Sequence, residues 1–171
     1  MNIIATTPRI YIREFSQGEL GLLLDIDADE RLTRYVKKRT PDETKKIFKE
    51  TIEDYQNGAL LGRWGIFNVA DNDFIGLCIL KTSDYDAQKT ELGYRLHLKY
   101  WGNGIATELA AALVNYGFTT AGINELCAVT DPANIASQKV LIKAGFKRDG
   151  FVFWYGEELP FFIIKKQEDN A

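Results

Sequence analysis

Polar and apolar side chains alternate in the run Arg9-Ile10-Tyr11-Ile12-Arg13, the two-residue period of a strand. The period then lengthens. Ser16 and Glu19 stand at capping-box spacing, and Leu20, Leu22, Leu23, Leu24 and Ile26 follow with an apolar face at helical spacing. Residues 31–38 fit a short second helix or a turn. Thr40-Pro41-Asp42-Glu43 joins a cap, a first-turn proline and acids at the positive end of the dipole, which predicts a helix to about Gln56, stopped by Asn57-Gly58. The strand period returns at 63–70 and 74–81 around the polar turn Asp71-Asn72-Asp73, a hairpin. A third run, 90–98, pairs with the second across the loop 83–89.

Ile105, Leu109, Ala112, Leu113 and Tyr116 next fall on one helical face. Residues 125–130 form a short apolar strand. Asp131-Pro132 reads as a cap with a first-turn proline, opening a helix to Ala144 that Gly145-Phe146 ends. Two more β-rich runs, 147–155 and 159–165, precede a polar tail, 166–171. The predicted order, β-α-α-α-β-β-β-α-β-α-β-β, is an α/β fold with a mixed central sheet of about seven strands, antiparallel in its first half and flanked by helices. The helix from Ile105 then becomes the crossover between two parallel strands. No repeat or linker divides the chain, so one domain over 1–171 is expected.

Composition narrows the function. At 171 residues, 46% hydrophobic and 26% charged, the chain has material for an ample core. A net charge of −3 lends no support to nucleic-acid binding. No run approaches the roughly 18–20 apolar residues of a membrane span, and the first residues lack a basic segment ahead of a long apolar one. A cytoplasmic protein with no membrane partner is expected. Cys78 and Cys127 lie inside apolar runs, without a CxxC pair or a nearby histidine, and read as inert thiols. His97, the lone histidine, reads as an exposed bystander, which argues against a Ser-His-Asp triad or a multi-histidine metal site. No metal is expected.

The most informative stretch is Tyr100-Trp101-Gly102-Asn103-Gly104-Ile105-Ala106-Thr107-Glu108, between a strand and a helix. Two glycines there let the backbone turn sharply and bare its N–H groups, and the helix start adds more unpaired N–H groups and the positive dipole end. The stretch is either an anion cradle or a plain strand-to-helix turn. It is not a P-loop, because no Gly-Lys-Ser/Thr follows a glycine at the required spacing. It also departs from a dinucleotide fingerprint, with Thr107 where a third glycine belongs. A pyrophosphate held by consecutive amides without a metal needs only the turn and the helix start.

Four pieces in this order resemble the GCN5-related N-acetyltransferase (GNAT) superfamily, in the RimJ/RimL-type branch that includes ribosomal-protein N-terminal acetyltransferases. They are Thr7-Pro-Arg-Ile-Tyr-Ile-Arg-Glu, Glu91-Leu-Gly-Tyr-Arg-Leu, the Tyr100 to Glu108 stretch, and Asn134-Ile-Ala-Ser-Gln-Lys-Val-Leu-Ile-Lys-Ala-Gly-Phe146. The resemblance implies acetyl-CoA as co-substrate, an amine acceptor and an N-acetyltransferase activity. Its acetyl-CoA motif aligns Trp101, Gly104 and Ala106, with Trp101 replacing the usual Gln or Arg. The pyrophosphate would rest on the amides of Gly102, Asn103, Gly104, Ile105, Ala106 and Thr107. Asn134 would contact the pantetheine arm between the strands ending near Leu98 and beginning near Glu125, and a strand amide from Leu96 to Leu98 would polarise the carbonyl. Dimers are frequent in the branch, so a homodimer is among the expectations.

Acetyl transfer from a thioester needs a neutral amine, a polarised carbonyl and a stabilised or protonated thiolate. Glu91, at the start of the central strand, is the candidate base; its alternative is a carboxylate that only pairs a cation or faces solvent. Many family members use a tyrosine acid seven residues after the Asn, where this chain has Leu141. Ser137 is the substitute that the resemblance implies, against the alternative of a helix serine bonding to backbone. The acceptor pocket is expected from residues 31–35, 83–88 and the tail aromatics Phe151, Phe153, Trp154, Tyr155, Phe161 and Phe162, most of which read as core. Asp25, Asp27, Asp29, Glu30, Asp84 and Asp86 either draw in a cationic amine or form a solvated face. The leading acceptor is a protein N-terminal α-amine; a small-molecule amine (polyamine, amino acid or antibiotic) and a non-catalytic CoA-binding module stand beside it.

Overall fold

A computed structural model describes residues 1–154 and 156–167. The strands are β1 (Ile3–Thr6), β2 (Ile10–Arg13), β3 (Gly62–Asn68), β4 (Phe74–Thr82), β5 (Thr90–Leu96), β6 (Glu125–Val129), β7 (Lys147–Trp154) and β8 (Glu157–Lys165). The α-helices are α1 (Leu20–Ala28), α2 (Pro41–Gln56), α3 (Ile105–Thr119) and α4 (Ile135–Lys143). All the strands join one mixed sheet in the order β1-β2-β3-β4-β5-β6-β8-β7. Among the described residues only β5 and β6 pair in parallel, as a strand–helix–strand crossover requires.

The sheet has eight strands rather than about seven. The addition is β1, a four-residue run too short to show a period, which exists because β2 offers an edge for it to pair with. Residues 31–38 make turns and no helix, with scattered bonds such as Leu32 N to Asp29 O and Val36 N to Thr33 O. Helix α4 starts three residues later than Asp131-Pro132 implied. Asp131 instead closes a local turn by accepting from the Ala133 N–H, and Asn134 caps the helix. Tyr155 and most of the polar tail lie outside the described residues. The expected caps of α2 are present: Thr40 accepts from Glu43 N–H, and Glu43 accepts from Thr40 N–H in return.

The two faces of the sheet carry different loads. One packs Trp64, Ile66, Cys78, Leu80, Leu92, Leu96, Leu126, Ala128 and Phe162 against the apolar side of α3 and against Leu141 of α4. The other packs Leu77 against Phe15, Leu23, Ile26 and Phe48 of α1, α2 and their approaches. Residues two apart on a strand share a face. Glu91, Gly93 and Arg95 therefore lie on the α1/α2 side, and Leu92, Tyr94 and Leu96 on the α3/α4 side.

Strands β5 and β6 are in register only at Thr90 with Leu126 and at Glu91 with Cys127. Beyond that they separate, and a glycine supplies the reason. A Cβ on Gly76 would sit 2.1 Å from the Arg95 carbonyl oxygen and 2.8 Å from Leu96 Cα, so β4 and β5 approach as closely as they do only because position 76 has no side chain. The end of β5 is drawn toward β4, while β6 is held on its far side by antiparallel pairing with β8. A wedge opens between them. Gly76→Ala is expected to force β5 outward, lowering stability by about 1–3 kcal/mol as overpacking does and narrowing the wedge. Thermal unfolding, with CoA affinity measured alongside, checks both effects.

Candidate active site

The wedge is the mouth of a cavity of about 600 Å³, walled by Tyr94, Ser137 and Leu141 on one side of the sheet and by Glu91, Tyr85 and Arg63 on the other. Such a cavity reaches both faces only because β5 and β6 have parted. A carboxylate and a hydroxyl carried on opposite faces of one strand thus open onto the same space.

Below the wedge the chain leaves β5 through a 3-10 turn, Leu98–Tyr100, and reaches two glycines with φ of +75°, Gly102 and Gly104. This left-handed geometry is costly for any residue with a Cβ. It turns the backbone into α3, whose N-cap, Gly104, offers no side chain to cover the first amides. Among the described residues no acceptor is present for the N–H groups of Gly102, Asn103, Gly104, Ile105, Ala106 or Thr107, while Trp101 N–H is spent on Leu98 O and Glu108 N–H on Gly104 O. Bare amides at a helix start are the donor set a pyrophosphate needs. Glu108, an anion in the first turn of α3, would oppose that charge. It is held by Arg9, with Nη2 2.6 Å from Oε2, and by the Arg9 backbone N–H. Arg9 Nη1 also donates to Asn103 O at 2.7 Å, fastening the glycine turn to the start of β2. Trp101, which the resemblance places in the cofactor motif, donates its indole N–H to Leu96 O at 2.8 Å. Its side chain ties the turn to the end of β5.

Backbone alternation decides which strand amide faces the gap. His97 N–H donates to Ile75 O on β4, so in this antiparallel pair Arg95 and Gly93 also point toward β4. Tyr94 and Leu96 point the other way, into the wedge. Within the span from Leu96 to Leu98, Leu96 N–H thus faces the splayed gap, and Leu98 N–H, at the start of the 3-10 turn, has no acceptor among the described residues. His97 itself is half-buried against the Phe74 ring rather than exposed.

Asn134 Oδ1 accepts from Ser137 N–H at 3.1 Å, capping α4, and Asn134 is among the residues that line the cavity. Ser137 is not turned back on the helix. Its hydroxyl lies 3.2 Å from the Tyr94 hydroxyl. Sequence reading missed Tyr94, although it stands in the Glu91-Leu-Gly-Tyr-Arg-Leu piece; the signal was its odd spacing from Glu91, which places it on the α4 side. Leu141, at the family's tyrosine position, is buried in the wall, and a phenol reaches the same region from β5. Burial pushes the Tyr94 phenol upward, with Ser137 drawing it partly back. The phenol therefore keeps its proton at neutral pH and can donate it.

Glu91 lies across from Lys81 on the other face, beside Tyr85 and Cys127. Burial raises its carboxyl above the ordinary range, Lys81 and Ser83 pull it down, and Asp84 adds to the rise. A carboxylate that prefers its proton is a stronger base. Cys127, 3.2 Å from the Tyr85 hydroxyl, is pushed to about 11 by burial, and burial raises Cys78 further; both remain thiols. Of the expected pocket, Arg34, Tyr35, Asp84, Tyr85 and Trp154 line the cavity. Phe161 packs edge-on against Tyr85, Phe162 is core, and Phe151 and Phe153 are exposed on the edge strand β7. The acids are largely committed: Asp29 to Arg31, Glu30 to Lys38, Asp84 to Lys81, Asp86 to Gln88 N–H and Asp27 to a cluster described below. Asp27, Asp29, Glu30 and Asp84 thus spend their charge on neighbouring cations rather than on the cavity.

The acetyltransferase (GNAT) domain family matches residues 9–147, and the chain belongs to that family; the protein is an acetyl-CoA-dependent acetyltransferase. It is 27% identical over 149 residues to the "Uncharacterized N-acetyltransferase p20" of Bacillus licheniformis, covering 85% of this chain and 83% of that one. The fold is shared with the acetyl transferase of Salmonella typhimurium that modifies the N-terminal serine of a 50S ribosomal subunit protein (TM-score 0.80, 17% identity, 97% of this chain and 100% of that one). It is shared equally with the spermidine N-acetyltransferase of Vibrio cholerae, solved with CoA and spermine (TM-score 0.77, 18% identity, 93% and 96%). Neighbours with such different acceptors leave the acceptor of this protein to be argued from its own pocket.

Two outcomes check the site. Gly104→Val places a β-branched side chain at a positive φ and should weaken CoA binding about tenfold or more by calorimetry, the strain alone being of order 1–2 kcal/mol. Tyr94→Phe should lower the rate of the chemical step by about 10²-fold, the lower end for a lost proton donor, with Ser137→Ala having a smaller effect. CoA affinity should stay within twofold in both.

Proposed function

We propose that the protein transfers an acetyl group from acetyl-CoA to a primary α-amine by direct attack in a ternary complex, with Glu91 as base and the Tyr94–Ser137 pair as acid. The observation that carries this reading is the position of the three groups, a carboxylate on one face of β5 and paired hydroxyls on the other, opening onto one wedge. The bare amides from Gly102 to Thr107 fit the pyrophosphate of CoA, and bound acetyl-CoA supplies an activated thioester at the wedge. The acceptor approaches from the α1/α2 side. Glu91 takes a proton from the amine, and the nitrogen lone pair attacks the carbonyl carbon. The C–N bond forms, the C–S bond breaks, and the thiolate takes its proton from the Tyr94 hydroxyl, whose hydrogen-bond partner is Ser137. Leu96 N–H, directed into the wedge, is the donor for the carbonyl oxygen.

An α-amine has a free pKa near 7.7–8.0 and a lysine near 10.4, so a single carboxylate suffices for the first and is taxed by the second. This favours an α-amine, whether of a protein N-terminus or of a small molecule.

Glu91→Gln separates the catalytic role from a structural one. A carboxyl whose folded-state pKa is raised favours the protonated fold, so its contribution to stability falls as pH rises through the interval between its unfolded and folded values. At pH 7 the charged form burdens the fold, and Gln removes the burden. The variant should unfold at an equal or higher temperature at pH 7 while thiol release falls by about 10²-fold and loses the limb that rises with pH. An unchanged rate and pH profile would remove Glu91 from the mechanism.

A further inference from the structure

The acceptor side of the cavity is built around guanidiniums that the fold leaves short of anions. Arg39 and Arg95 share one buried carboxylate, Asp27. Its Oδ1 accepts from Arg95 Nη1 and lies 3.5 Å from Arg39 Nη1, and its Oδ2 accepts from Thr44 Oγ1 at 2.7 Å. Arg63, the neighbouring guanidinium on β3, has no carboxylate within salt-bridge distance among the described residues. The Nε atoms of Arg63 and Arg95 are buried with no hydrogen-bond partner. Burying a guanidinium without partners is costly, and burying like charges together more so. Burial and the charges of Arg39 and Arg95 depress the Arg63 guanidinium to about 10, which leaves it cationic at neutral pH.

This cluster and the candidate base lie on one surface. Glu91 and Arg95 flank Gly93 on the same strand face, and Ile79 lies between Gly93 and Arg63 across β4. Position 93 has no side chain to stand between them, since even a Cβ there would press to 3.0 Å from Ile79 Cγ1. Glu91 and Arg95 are about 13 Å apart at Cα along the strand, and Arg63 is about 10 Å across two strand spacings from Gly93. Long side chains reaching inward from that frame leave room for a small molecule with one charged group at each end.

Resting on the function proposed above, we infer that the acceptor is a small amino acid with a free carboxylate near its amine. The carboxylate is received by Arg63 and Arg39, and the amine is left at Glu91. A guanidinium meets a carboxylate through a planar fork, and the anion supplies the carboxylate partner that Arg63 lacks among the described residues. A polyamine brings only positive charge to this wall. A protein N-terminus brings an amide where the carboxylate belongs.

The test compares matched acceptors: the common free amino acids, their carboxamides, short N-terminal peptides and spermidine, followed by thiol release from acetyl-CoA. The best free amino acid should exceed its own carboxamide in kcat/KM by about 10- to 100-fold, the value of a charge-assisted hydrogen bond. Arg63→Gln should raise the KM for the acid by a similar factor with kcat little changed and leave the carboxamide unaffected; Arg39→Gln should act in the same direction. Calorimetry on the CoA-bound protein should show the acid binding and Arg63→Gln abolishing it. Preference for the carboxamide, a peptide or spermidine, or equal losses for acid and carboxamide in Arg63→Gln, would overturn the inference while leaving amine acetylation intact. Absence of thiol release with every acceptor would count against the enzymatic reading instead, and calorimetric binding of an amino acid, lost in Arg63→Gln, would still uphold the carboxylate site.

Discussion

A parallel strand pair that meets at two positions and then parts is the constraint on which the rest of this protein depends. Parallel strands normally bury their hydrogen-bonding groups in one another. Here the pairing stops after Glu91 and Cys127, and the backbone groups beyond it are left for a bound molecule. The separation is bought by a glycine on the next strand, Gly76, which lets β4 draw the end of β5 toward itself. The α3 crossover delivers its N-terminus just below the opening, so the run of unpaired amides and the wedge are two consequences of one strand–turn–helix connection.

That geometry also reconciles a chemical difficulty. The mechanism proposed above asks a base and an acid to reach one reacting centre, yet neighbouring positions on a paired strand face separate compartments. Glu91 and Tyr94, three residues apart, occupy opposite faces, and only a gap in the sheet gives both access to one point. Burial raises both the Glu91 carboxyl and the Tyr94 phenol, the direction that the proposed mechanism asks of each. The hydroxyl pair Tyr94–Ser137 lies with Leu141 on one wall of the cavity, and in the proposed mechanism it answers from β5 for the tyrosine that the resemblance would place at position 141.

The charge of the acceptor wall runs against the overall composition. The chain is net acidic, but Asp84 is paired with Lys81 and Asp27 with both Arg39 and Arg95, while Arg63 has no carboxylate within salt-bridge distance among the described residues. Whole-molecule charge is a sum over a surface, whereas recognition depends on which charges remain unpaired at one place. The acidic residues that looked like an attraction for a polyamine are partners of their own neighbours, and the excess at the wall is positive.

The sequence by itself determined the alternation of strands and helices, the caps of α2, the glycine turn at 102–104 and the order that implies a crossover. These are local: a period of two or near four, a cap, or a residue free to adopt positive φ is written in a few adjacent positions. It left β1, the turns at 31–38 and the start of α4 at Asn134 to context, because four residues carry no period and Asp131 had two local ways to use its oxygen. Glu91 and Ser137 were reachable through a motif. Tyr94 as the partner of Ser137, Trp101 as a tie to Leu96, and the guanidiniums around Asp27 were decided by the tertiary structure alone. Each joins residues far apart in the chain or on separate elements, and no spacing along a sequence encodes which faces will meet once a sheet has twisted and parted.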